Sequence, residues 1–221
     1  MRPLVIFGTS NIISDLVDAA MSVGWSVRAI VRHDAEDMDP RSVSLADRLS
    51  QWATVGIRPA VLDLDNYHPL PDDACLLGPT TPTRARLAAL VKDRWGIEFT
   101  TLVHRTAYVS PLAHLGQGTF IGANSVVAPG TSLAEHVFVN RGVTVGHDNK
   151  IGAFCRIQPG AALGGLSEYG IGVTVGIGAR TLERLHVGEG AVIAGGAVVL
   201  EDVPAHVMVA GVPARIKKHL L

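Results

Sequence analysis

Cysteine is scarce in this chain of 221 residues, which contains only Cys75 and Cys155. Two thiols cannot staple a chain of this length into a disulfide framework. Both fall in segments expected to be strands, and Cys155 occupies a small position suited to core packing, which fits a reducing compartment. An excess of one charge is also missing. Nineteen Lys and Arg against 20 Asp and Glu leave a formal net charge of −1. The basic residues are scattered apart from Arg215, Lys217 and Lys218, so nothing in the balance favours nucleic acid or an anionic membrane. No apolar run reaches transmembrane length, and the N-terminus shows no secretory-signal pattern. These absences lead to the expectation of a cytoplasmic protein with no nucleic-acid partner and no membrane partner.

What the sequence does have is a period. From Val109 onward every sixth residue is aliphatic, through Leu115, Ile121, Val127, Leu133, Val139, Val145, Ile151, Ile157 and Leu163, and on through Val175, Val187, Ile193 and Val199. Only Tyr169 and Thr181 depart from the rule. A helix needs a period of 3.6 and a strand a period of 2, so a strict six fits neither alone. It fits short strands separated by tight corners and stacked as a parallel β-helix, with three hexads to a triangular coil. The aliphatic residue then points inward and stacks on its counterpart one coil away. The following residue is usually small (Gly116, Gly122, Gly146, Gly164), as expected where the chain bends and glycine supplies corners at φ > 0. The fifth position (Thr119, Ser125, Thr131, Cys155, Ala161) is a second, cramped inward site.

Residues 1–104 follow another pattern. Leu4 to Phe7 predicts a strand, Gly8-Thr9-Ser10-Asn11 a turn, and Ile12, Ile13, Leu16, Val17 and Met21 a helix ending at Gly24. Further strands are predicted at Trp25 to Val31 and Ala74 to Gly78, and a helix at Thr83 to Arg94. The stretch from His33 to Asp73 is less legible, with a helix at Ser44 to Trp52 and a strand at Pro59 to Leu64. This alternation predicts a small α/β (Rossmann-like) domain with a short parallel sheet at 1–104, followed by the β-helix and a C-terminal tail at 105–221. The β-turn-α start could hold an anion on backbone N–H groups, but it lacks the further glycines of a dinucleotide fingerprint and reads equally as a plain strand-to-helix turn.

Several features now combine: the α/β domain, the hexad repeat, Val-Asn-Arg-Gly-Val-Thr-Val-Gly-His-Asp-Asn-Lys-Ile-Gly at 139–152 and Val-Ala-Gly-Val-Pro-Ala-Arg at 209–215. Together they resemble the hexapeptide-repeat sugar acetyltransferases, a family that includes sialic-acid O-acetyltransferases and the bacillosamine- and perosamine-pathway N-acetyltransferases. The resemblance covers essentially the whole chain. It implies a left-handed β-helix, a handedness the spacing alone does not yield. It also implies His147 as general base with Asp148 supporting it. Acetyl-CoA would lie against Arg156, Gly165, Ile177 and Gly195, and Asn140 would be an active-site asparagine. The nucleotide sugar would lie against Gly8, Ser10, Asn11 and Ile12. Three departures stand out. Family members commonly carry Gly-Ala-Ser-Gly-His-Gly after the first strand, where this chain has Gly-Thr-Ser-Asn-Ile-Ile. An acidic pair that often ends the second strand is here Arg32-His33, which makes Arg32 a candidate for substrate choice, and a histidine that often contacts the coenzyme is here Arg156.

The chemistry can also be argued from the residues. Attack on a thioester needs a neutral amine or an activated hydroxyl, and a neutral imidazole can take the proton at pH 7. Asp148 could hold the ring and favour the imidazolium, provided the two adjacent side chains converge at a corner. His33, His68, His104, His114, His136, His186, His206 and His219 are expected at the surface. A zinc site of the γ-carbonic anhydrase type needs three converging histidines, and the eleven-residue spacing of His136 and His147 gives no such set, so no metal is expected. The expectation is an acetyl-CoA-dependent acetyltransferase acting on the amino group of a nucleotide-linked sugar in surface polysaccharide or glycan synthesis. The alternatives are a sugar O-acetyltransferase and a non-catalytic β-helix scaffold with a small-molecule-sensing domain. A single prism has flat walls, so a water-poor cleft is expected between copies, and the resemblance makes the assembly a homotrimer.

Overall fold

A computed structural model of the chain describes residues 1–33 and 41–220. It divides into two compact units, Met1–Thr100 and Thr101–Leu221.

The first unit is an all-parallel sheet of four strands with helical connections. In chain order it runs β1 (Pro3–Phe7), α1 (Ile13–Ser22), β2 (Ser26–Arg32), α2 (Leu45–Thr54), β3 (Ala60–Asp63), β4 (Ala74–Leu77) and α3 (Ala85–Trp95). The sheet order is β3-β2-β1-β4. Central β1 is apolar from Leu4 to Phe7 and fully buried, as a strand covered on both faces must be. Helix α1 buries Ile13, Leu16 and Val17 of the stripe read from its spacing, together with Ala19 and Ala20, whereas Met21 of that stripe is exposed. Gly96 ends α3 at φ 64, its N–H reaching Lys92 O at 2.7 Å. In the stretch the sequence left least legible, α2 and β3 are both present, while residues 34–40 lie outside the described residues. Phe7, Tyr67, Trp95 and Phe99 pack ring on ring beside the sheet.

The second unit is a three-walled parallel β-helix of two-residue strands. Wall one carries Leu102–Val103, Phe120–Ile121, Phe138–Val139, Arg156–Ile157, Thr174–Val175 and Val192–Ile193. Wall two carries Tyr108–Val109 through Val198–Val199, and wall three His114–Leu115 through His186–Val187. Strands pair with those eighteen residues away, as in Ser132 with Lys150 and Phe138 with Arg156, so a coil is three hexads. The C-terminal segment is more than a tail, because Arg215–His219 pairs antiparallel with Val207–Ala210 at the end of wall one. The aliphatic residues of the period form one core with the fifth-position residues.

Two further expectations need correcting. Cys155 is not in a strand. It precedes Arg156–Ile157 as a buried fifth-position residue, its thiol donating to Gly170 O at 3.1 Å. Positive φ falls two residues later than the small position assigned to it. From Gly118 to Gly196 the fourth residue of each hexad is left-handed, including the non-glycines Asn124, His136, Asp148 and Phe154. The second-position glycines answer instead to crowding between coils: a Cβ on Gly146 would lie 2.7 Å from Gly165 N. The two breaks in the aliphatic rule also explain each other. Tyr169 and Thr181 reach across the core, and their hydroxyls bond at 2.7 Å, satisfying two buried polar groups at once. Burial pushes the Tyr169 phenol up to about 12, so it stays neutral.

Candidate active site

His147 and Asp148 occupy the corner between walls two and three. Asp148 is left-handed (φ 55), which breaks the alternation of a strand and lets two adjacent side chains turn toward each other. His147 Nδ1 lies 2.8 Å from Asp148 Oδ2. An ionised carboxylate only accepts, so Nδ1 carries the proton and Nε2 keeps its lone pair. The backbone of the corner is tied to both neighbouring coils: Asp148 N–H donates to Pro129 O at 3.0 Å, and Leu166 N–H donates to His147 O at 2.9 Å. Half of each side chain is exposed, 55% for His147 and 56% for Asp148, so the pair can be reached from solvent.

Glycine brackets the pair on both sides. Gly165, eighteen residues after His147, lies against the imidazole, and a Cβ there would stand 2.9 Å from both Nε2 and the His147 carbonyl oxygen. Gly130, eighteen residues before Asp148, leaves the space its carboxylate fills, since a Cβ on Gly130 would fall on Oδ1. The sequence reading missed Gly130, although the eighteen-residue offset could have found it.

The other second-unit candidates lie elsewhere on the prism. Asn140, Ile177 and Gly195 sit at the corner between walls one and two, and Arg156 projects from wall one. Within one chain the width of wall two separates them from His147. Asn140 is buried, and its Oδ1 accepts from Arg141 N–H at 2.8 Å. Ile177 is 64% exposed and lies under Gly195, whose Cβ position is 3.3 Å from Ile177 O. Arg156 is largely buried, and burial lowers the pKa of its guanidinium from the ordinary value. Its Nε has no hydrogen-bond partner among the described residues, a costly state for a desolvated cation.

The remaining candidates belong to the first unit. Gly8 opens the turn after β1 at φ 76 and donates to Val31 O at 2.7 Å. Ser10 Oγ donates to Gly78 O at 2.8 Å. Ile12 precedes α1 without a side-chain cap. Asn11 O accepts from Arg48, which also donates to Ser14 Oγ. A shallow hollow beside Asn11 is lined by Arg41, Ser42, Val43 and Arg48, residues that the sequence reading missed because they come from a distant segment. Arg32 pairs with Asp63 of β3 at 2.8 Å, both half-exposed. Among the histidines expected at the surface, His136 is a correction: it is buried and stacks on Phe154 at 4.9 Å. Among the described residues no group of three or more His, Cys, Asp and Glu could hold a metal ion, and no helix is long and apolar enough to cross a membrane.

Comparison with known proteins finds acetyltransferases of similar sequence and fold. No family model matches the chain. It is 34% identical over 135 residues to serine acetyltransferase of Escherichia coli K12, a match covering 60% of this chain and 44% of that protein. The chain therefore spans less than half the length of such curated relatives. Solved structures match along its whole length. The acetyltransferase domain of PglB from Neisseria gonorrhoeae FA1090 superposes with a TM-score of 0.81 and 28% identity, covering 98% of this chain and 100% of that one. PerB from Caulobacter crescentus, solved with CoA and GDP-perosamine, gives 0.80 and 25%, covering 98% and 97%. Its hexad period, its three-walled parallel β-helix following a four-stranded α/β unit in sequence and this full-length likeness give the chain the fold of the left-handed β-helix acetyltransferases.

Proposed function

We propose that the chain transfers the acetyl group of acetyl-CoA to the amino group of a nucleotide-linked sugar, a step in building a surface polysaccharide or glycan. The observation that carries this reading is the His147–Asp148 pair, with Nδ1 engaged by a carboxylate at a half-exposed corner. His147 Nε2 takes the proton as the amine attacks the thioester carbonyl, and returns it to the departing thiolate. Asp148 holds the ring and stabilises the imidazolium formed in between. Full-length likeness to a domain also solved with acetyl coenzyme A, and to a structure holding GDP-perosamine, supports both substrate classes. Acetyl-CoA is assigned to Arg156, Gly165, Ile177 and Gly195, and Arg156 Nε is a donor in want of an acceptor. Asn140 is assigned to the acceptor sugar, and Gly8, Ser10, Asn11, Ile12 and Arg32 to its nucleotide.

The working form is a homotrimer. Leu166, Leu182 and Leu200 expose apolar side chains on or beside the His147 corner, a surface that a second copy would cover. Packing that corner against a neighbour's Asn140 edge would unite residues that one chain keeps apart. Light scattering that returns a monomer at micromolar concentration overturns the assembly. The place of action is the cytoplasm, where acetyl-CoA and nucleotide sugars are made.

A hydroxyl acceptor is the second reading, favoured by the match to serine acetyltransferase over 60% of the chain. Purified protein is given acetyl-CoA with UDP-, GDP- and dTDP-linked amino sugars, and CoA release is followed. An amide product resists mild base, whereas an ester is cleaved. Absence of CoA release above hydrolysis with every acceptor overturns the enzymatic reading.

A further inference from the structure

The β-helix core is mostly apolar, but one column carries polar side chains in three successive coils. Thr131, Asn149 and Ser167 occupy the fifth position in three successive coils at the corner between walls two and three, and each is at most 1% exposed. At the same levels the corner between walls one and two has Val143, Ala161 and Ala179, and the corner between walls three and one has Val137, Cys155 and Val173, all within the hydrophobic core. A primary amide with no exposed surface costs free energy unless its bonds are made, and an apolar residue would fill this position as one does at the other corners.

Most bonds of this column go to the backbone around His147; Ser167 Oγ also accepts from Leu185 N–H at 3.0 Å. Asn149 Nδ2 donates to Gly146 O at 2.8 Å, and Thr131 Oγ1 donates to the same oxygen at 2.6 Å. The carbonyl of the peptide that enters His147 is therefore held by two donors from inside the core. Because the peptide is planar, fixing this carbonyl also sets the plane from which the His147 side chain departs. Asn149 Oδ1 accepts from Ser167 N–H at 2.9 Å, and Ser167 Oγ donates to Gly165 O at 3.2 Å, the residue lying against the imidazole. One buried amide thus ties the peptide before the base to the coil that packs against its ring.

We infer that Asn149 is a positioning residue that sets the orientation of His147 through the Gly146 carbonyl. The inference rests on the reading of His147 as the base. Asn149 does not touch substrate and acts only through the backbone it holds. In Asn149→Ser the hydroxyl can still accept from Ser167 N–H, as Ser125 Oγ accepts from Val143 N–H at 3.1 Å, but it cannot reach back to Gly146 O. Asn149→Leu keeps the branched shape and heavy-atom count and loses both bonds.

The test compares the parent, both variants and Thr119→Val, which removes a buried hydroxyl bonded to Ala134 O at a corner without site residues. Asn149→Ser is expected to melt close to the parent while kcat falls roughly 10- to 100-fold at unchanged KM for acetyl-CoA, because a misplaced base loses rate rather than affinity. Thr119→Val should keep the parent kcat. Nitrogen-15 NMR of the His147 ring provides a readout independent of turnover: a single Nδ1–H tautomer in the parent and a mixture in Asn149→Ser. Parent-like kcat and tautomer pattern in Asn149→Ser overturn the inference. A parent inactive with every acceptor overturns the acetyltransferase reading instead, and the tautomer comparison then still decides whether Asn149 orients the ring.

Discussion

The β-helix presents His147 and Asp148 on a corner whose backbone is tied to the coils on either side, whereas the α/β unit presents Ser10, Asn11 and Arg32 on surfaces fastened largely by long side chains. At the corner the ties are Pro129 O, Leu166 N–H and the buried Asn149 amide. At the turn they include Arg48 across Asn11 and Ser14, and the Arg32–Asp63 pair. Backbone ties repeat with the coil and fix the corner from both sides. Exposed side-chain ties are weaker and leave the geometry adjustable. Under the proposed function the chemistry falls to the β-helix corner and the choice of substrate to the α/β unit, and this division can be broken experimentally.

The largest effect is expected at the rigid corner. His147→Ala should lower kcat by roughly 10² to 10⁴ fold, with acetyl-CoA binding preserved in calorimetry and an unchanged oligomer. Asp148→Asn should cost less, and the double variant no more than His147→Ala alone, because Asp148 acts only through the ring. Activity retained in His147→Ala would move the base elsewhere.

Next comes the α/β unit's own anchor. Asp73 is 2% exposed, accepts two bonds from Arg28, and also accepts from Tyr67 Oη and Leu70 N–H. Asp73→Ala leaves those donors without their acceptor and should destabilise this unit by about 3 to 5 kcal/mol. Calorimetry should show an early transition for the first unit with the β-helix transition unmoved; a single shared shift would show that the units melt together. Loss of native packing there should also expose Cys75, whose thiol burial pushes up to about 11 and so keeps neutral and slow to alkylate at pH 8 in the folded parent.

Gly165→Ala sharpens the comparison by disturbing the corner through a single methyl. The added Cβ meets both the imidazole and the His147 carbonyl, so the ring must move, and kcat should fall roughly tenfold or more with the fold intact by circular dichroism. The smallest effect is expected from Arg32→Ala. Removing a half-exposed cation paired with Asp63 should raise KM for the nucleotide sugar a few-fold and leave that for acetyl-CoA unchanged. Equal changes in both constants would remove Arg32 from the nucleotide site.

The legible parts of this molecule are those where one residue type answers to one backbone requirement. The hexad period located the β-helix and its inward positions, and the stripe Ile13, Leu16, Val17 located α1. The small second-position residues were legible too, but for the wrong reason: the crowding of Gly146 against Gly165 depends on a coil eighteen residues away. His136 looked like a surface histidine because nothing local announces Phe154 beside it. Arg41 and Arg48 joined the turn at Asn11 from a segment with weak periodicity.

By itself the sequence determined the coil, its register and the adjacency of His147 and Asp148, because a six-residue repeat leaves one way to bury its aliphatic face. Only the tertiary structure decided that Asp148 turns left-handed onto the imidazole, that Gly130 and Gly165 make room for the pair, that Tyr169 and Thr181 satisfy each other, and that Asn149 holds the carbonyl of the peptide entering His147. The glycine and Tyr169–Thr181 contacts join groups twelve or more residues apart, and the Asp148 turn and the Asn149 bond to Gly146 depend on the backbone path at the corner, so they are set by how coils stack and turn rather than by the identity of any one residue.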